Sequence, residues 1–106
     1  EYKALLFLKD YPPGKVMADL RTSTAVYAIA EKEIVSSLYF YGQDKRDDVK
    51  KFFLNSTNCK SKDIILINDS VSYIISQNRT LCNWTEIYND SVYIYRYNPS
   101  KNIRLF

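Results

Sequence analysis

Apolar residues along this chain come in short runs broken by polar or turn-forming residues, and most runs alternate or are rich in β-branched and aromatic side chains. That texture predicts strands rather than long amphipathic helices. Residues 2–11, YKALLFLKDY, read as a first strand stopped by Pro12-Pro13-Gly14, which removes backbone donors and permits a tight reversal. Residues 15–23 fit either a second strand or a short helix. TAVYAIA (24–30) and IVSSLYFYG (34–42), separated by Glu31-Lys32-Glu33, read as two strands, although Ala25, Ala28 and Ala30 also suit a helix.

One helix is predicted near residues 44–54. Asp44 is placed to cap it, Asp47 and Asp48 fall in its first turn, and Lys50 and Lys51 lie near its end, an order that suits the helix dipole. Val49, Phe52 and Phe53 share one face for docking on a sheet. IILI (64–67), Asn68-Asp69-Ser70 and VSYIIS (71–76) predict a hairpin. LCNWTEIY (81–88) and SVYIYRYN (91–98) add two strands, and NIRLF (102–106) a last short one. The expected fold is therefore β-rich, an all-β sandwich or barrel or an α+β arrangement, with seven to nine short strands and one helix in a single domain, 1–106.

The polar positions carry a second pattern. Five Asn-x-Ser/Thr triplets begin at Asn55, Asn68, Asn78, Asn83 and Asn89, and both cysteines lie among them. With eight asparagines and fifteen Ser plus Thr in 106 residues, chance supplies about one such triplet, so these read as N-glycosylation sites. Cys59 and Cys82 fall three residues out of register across the expected hairpin, which points to a disulfide closing its open end across one bulge. An outward Asn83 turns Cys82 and Trp84 inward in an extended strand. Together these features predict a secreted or extracellular glycoprotein. The start at Glu1 fits a signal peptide already removed.

Composition changes the picture mainly by exclusion. Hydrophobic residues make up 46% and charged residues 25%, ordinary for a globular domain, and the net charge of +3 comes from interspersed signs. No basic block marks a nucleic-acid or membrane-surface binder, and no apolar run is long enough to span a bilayer. The chain contains no histidine, which removes Ser-His-acid and Cys-His catalysis and the usual catalytic zinc sites. Two glycines build no phosphate-cradling loop. The acidic group at Asp44, Asp47 and Asp48 lacks the glycine and distal Glu of a calcium loop. No enzyme activity, cofactor or metal site is expected. Ile, Lys, Asn, Tyr and Phe together outnumber Ala, Gly, Pro and Arg by 43 to 15, an AT-rich codon signature that fits a virus, parasite or arthropod source.

What remains is surface. Tyr93, Tyr95 and Tyr97 share one face of their strand; they form an exposed row if Val92 and Ile94 fill the core, or a covered one if the strand is central. Tyr39, Phe40 and Tyr41 form a similar group in the glycan-free first half. These six are the partner-binding candidates. The expected function is a binding module for a host extracellular protein such as a cytokine, chemokine, complement factor or immune receptor, acting as an immune modulator. Two other readings stand beside it: a small-ligand carrier with a lipocalin- or cystatin-like pocket, and a structural ectodomain of a larger viral or cell-surface glycoprotein. A homodimer is compatible with any of them.

Overall fold

The computed structural model describes residues 2–36, 43–54, 56–80, 82–90 and 92–98. Among the described residues, four α-helices and one four-stranded mixed sheet make an α+β domain, so the expectation of seven to nine strands is overturned. In chain order the elements are α1 (Tyr2–Lys9), β1 (Lys15–Met17), α2 (Leu20–Ala25), α3 (Gln43–Phe52), α4 (Cys59–Asn68), β2 (Val71–Ser76), β3 (Thr85–Asn89) and β4 (Tyr93–Arg96). The helix expected near 44–54 is α3. The strands expected over 2–11, 24–30 and 64–67 are helical, and 102–106 lies outside the described residues.

The helices form where burial follows a 3.6-residue period that the apolar runs conceal. In α1, Ala4, Leu5 and Leu8 are buried while Lys3, Leu6 and Lys9 face outward, a helical spacing that strand alternation cannot produce. Asp19 caps α2 by accepting from the Thr22 amide at 2.8 Å, and its other oxygen accepts from the Thr22 hydroxyl at 2.8 Å. The chain then continues as a π-helical turn over Val26–Ala30, whose Val26 and Ala30 are buried. In α4, Ile65 and Leu66 are buried between exposed Ile64 and Ile67, and Asn58 caps the helix through the Ser61 amide at 2.8 Å. Ser70, at φ 56°, ends it in the left-handed conformation.

The strand order is β1-β2-β4-β3, with β1 parallel to β2 and the other two pairs antiparallel. Residues 33–35 run beside the outer edge of β1, where the Val16 amide donates to the Glu33 carbonyl at 2.8 Å. Both faces of the sheet are covered. On one, α1 and the α2 region bring Ala4, Leu5, Leu8, Val26 and Ala30 against Tyr73, Ile75, Val92 and Ile94. On the other, α3 and α4 bring Val49, Phe52, Ile65 and Leu66 against Ile74, Tyr95 and Tyr97. Gly14 is required by close approach, since a Cβ there would lie 2.6 Å from the Ser72 Cβ.

Candidate functional site

Among the described residues, one cluster of polar contacts lies around β3, at the opposite end of the strand order from β1. This strand pairs with β4 on one side, and among the described residues nothing pairs with its other side. Its register shifts between Glu86 and Tyr88, which leaves Ile87 in a bulge. Thr85, Glu86 and Asn89 are exposed, while Ile87 and Tyr88 pack against the first core; Tyr88 meets Phe7 with ring centroids 4.9 Å apart.

The segment from Gln77 to Trp84 leads into β3 and is pinned at several points. The Asn78 amide donates to the Ser76 hydroxyl at 3.2 Å, and that hydroxyl donates to the Asn78 carbonyl at 2.6 Å. The Thr80 amide donates to the Tyr95 hydroxyl at 2.9 Å, and the Cys82 amide to the Thr80 hydroxyl at 3.1 Å. Cys82 is bonded to Cys59, at the start of α4. Trp84 stacks on Phe52 with centroids 5.7 Å apart, meets Tyr95 edge-on at 5.9 Å, and donates its indole N–H to Asp63 at 3.0 Å. The disulfide thus forms between the expected cysteines, but it joins a helix start to the approach of β3. No hairpin of 64–67 with 71–76 exists for it to close.

Beside this loop, Arg79 pairs with Glu86 (Nε–Oε1 3.3 Å) and lies 5.3 Å from the ring centroid of Tyr93. The Asn89 carboxamide donates to Glu86 at 3.4 Å. These are exposed polar contacts, each worth little alone. No local spacing in the sequence announces them, because Arg79, Glu86 and Tyr93 meet only through strand pairing.

The six aromatic candidates divide sharply. Tyr39, Phe40 and Tyr41 lie outside the described residues. Tyr95 and Tyr97 are core side chains, 2% and 3% exposed, and Tyr93 is half-buried against the same cluster. The strand is central and covered, so these three do not form an exposed row. Burial raises the Tyr95 hydroxyl pKa above its ordinary value, against the lowering effect of the Thr80 amide. Tyr97 is raised by burial and then by the charge of Asp63, and its hydroxyl has no hydrogen-bond partner among the described residues. Tyr73 is raised chiefly by burial, and its hydroxyl donates to the Pro12 carbonyl at 2.6 Å.

Of the five triplet asparagines, Asn68, Asn78, Asn83 and Asn89 are exposed, and Asn55 lies outside the described residues. Among the described residues no group of three or more His, Cys, Asp or Glu side chains is placed to hold a metal ion. No helix among them is long and apolar enough to cross a membrane.

No protein-family model matches the chain, and no curated protein matches it either. Among solved structures, the fold is similar to the crystal structure of the C-terminal globular domain of an oligosaccharyltransferase from Archaeoglobus fulgidus. The TM-score is 0.71 at 13% identity, covering 91% of this chain and 95% of that one. At that identity the likeness establishes a shared fold, and the fold it establishes is the helix-covered four-stranded sheet described above.

Proposed function

We propose that this chain is an extracytoplasmic, N-glycosylated globular domain that works by protein contact as one part of a larger glycan-handling protein. The observation that carries the reading is the end-to-end likeness of fold to a domain that is itself one globular part of an oligosaccharyltransferase. A whole-domain match of this kind supports a shared role as a module more than it supports a shared reaction. The Cys59–Cys82 disulfide is compatible with a compartment where such bonds persist, and the five Asn-x-Ser/Thr triplets support passage through one where glycans are transferred. The work assigned to the domain is positioning: presenting a rigid, glycan-decorated surface beside its neighbours. No reaction is assigned to it.

The test uses the native source of the sequence. An antibody raised against the folded domain is used to blot membrane and soluble fractions, and in-cell cross-linking followed by mass spectrometry identifies its neighbours. The expected result is a membrane-fraction polypeptide much larger than 106 residues, cross-linked to glycan-transfer or glycan-carrying proteins. A free species of this chain's size in the medium would overturn the reading. It would return the chain to the class of secreted modules directed at a host cytokine, chemokine, complement factor or receptor.

A further inference from the structure

The sheet has two edges, and they are treated differently. The β1 edge is overlaid by residues 33–35, which bridge to it at Val16. The β3 edge has no described neighbour, and an open strand edge offers backbone donors and acceptors to any other strand, including the same strand of a second copy. Proteins blunt such edges with short strands, bulges, charges or covering groups. Here β3 has five residues and a bulge, but only one charge, Glu86, along its backbone edge. The built-in protection is incomplete.

Two glycosylation triplets bracket this edge. Asn83 lies two residues before Thr85, the first residue of β3, and Asn89 is its last. Both are exposed, one at each end of a strand that spans roughly 15 Å. A third, Asn78, belongs to the Asn89 end, because Ser76 pairs with Tyr93 and Tyr93 with Asn89 across the sheet. An N-glycan is bulky and hydrated, so a chain at either end of so short a strand denies an approaching strand its register. The Asn89 carboxamide keeps one N–H after glycosylation, enough for its bond to Glu86. Asn68 offers a contrast. It ends α4, about 15 Å along the helix from Cys59, and belongs to neither end of β3.

We infer that N-linked glycans on Asn83 and Asn89 cap the β3 edge, which is open among the described residues, and keep it from pairing with β3 of a second copy. The inference rests on the extracytoplasmic part of the function proposed above. Its test does not depend on the native location, because a signal sequence sends the chain through the secretory pathway of a glycosylating host. Peptide mass spectrometry reads occupancy at each asparagine, and sedimentation velocity over a concentration series reads self-association. Wild type, N83Q/N89Q and the control Ser70→Gly are compared, all in an N78Q background so that no glycan on Asn78 guards the Asn89 end. The control removes the Asn68 triplet while placing glycine at a left-handed position.

The expected result is occupancy of Asn83 and Asn89 and a monomeric wild type. N83Q/N89Q should dimerise with a Kd at least tenfold below that of wild type, and Ser70→Gly should behave as wild type. Should the double variant fail to secrete, folded wild type is deglycosylated enzymatically under native conditions and measured the same way. The inference is overturned if either site is unoccupied, if removing both glycans leaves the chain as monomeric as before, or if Ser70→Gly associates equally.

Discussion

Lys32 shows how a single side chain sets the first layer. It is 7% exposed, and its ammonium donates to the carbonyls of Tyr11 at 2.8 Å and Lys9 at 3.4 Å, at the C-terminal end of α1. A cation there meets helix carbonyls that have no partner further along the chain. Lys32→Met keeps most of the packing but leaves both part-buried carbonyls without this donor, so the expected loss is about 1 kcal/mol in urea unfolding. Glu31→Gln next door removes only the exposed Lys9–Glu31 ion pair and should cost below about 0.5 kcal/mol. Equal losses in the two variants would show that the buried contact has no special weight. Neither role was legible from the string Glu31-Lys32-Glu33, which reads as a polar turn. A buried lysine becomes visible only when the helix end it serves is known to sit against it. The cysteine pair was legible for a simpler reason, since two cysteines among secretory-type triplets have one partner each.

At the scale of elements, the disulfide and Trp84 together clamp the approach of β3 to α3 and α4. The bond closes a loop with a sequence separation of 23, worth about 3 kcal/mol of unfolded-state entropy. Cys59→Ser/Cys82→Ser should therefore lower Tm by on the order of 15 °C. Trp84 is the sole tryptophan, so its emission reports on the clamp alone. In the double variant a red shift of that emission should precede the loss of helical circular dichroism, because the loop then leaves Phe52 and Tyr95 first. An unchanged Tm would show that the stacking and the Asp63 hydrogen bond suffice. The pairing of these cysteines was legible and its geometry was not. IILI looks like a strand because a run of four apolar residues fits either period, and only the outward Ile64 and Ile67 around buried Ile65 and Leu66 reveal the helix. The same ambiguity misplaced α1 and the Val26–Ala30 turn. By contrast α3 was legible from its charges, with Lys50 and Lys51 in its last turn, although it starts at Gln43 and so takes Asp44 into the helix and puts Asp47 and Asp48 past its first turn.

For the molecule as a whole, covering both sheet faces turns the tyrosines into a source of alkaline instability. Tyr73, Tyr95 and Tyr97 are each raised above the ordinary value of 10.0, in every case chiefly by burial. A raised folded value means the fold holds its proton while the unfolded chain releases it. The contribution to stability is fully present below pH 10 and is lost as pH rises through the raised folded values. Lys62 acts in the opposite sense: burial lowers its value below 10.5, so its desolvation cost is relieved as pH rises through that lowered value. Tyr88 is raised as well, so four tyrosines oppose one lysine, and urea unfolding is expected to show stability falling steadily above pH 10. Tyr97→Phe isolates the effect, because the Tyr97 hydroxyl has no hydrogen-bond partner among the described residues. At pH 7 its removal should be neutral or stabilise the fold by about 1 kcal/mol, since a buried unpartnered hydroxyl is a cost. Above pH 10 the variant should lose stability less steeply than wild type. If instead Tyr97→Phe costs more than about 1 kcal/mol at pH 7, the hydroxyl is bonded in the folded chain. An alkaline decline as steep in the variant as in wild type would assign it to the other tyrosines, among them Tyr73 and Tyr95, whose hydroxyls contact Pro12 and Thr80.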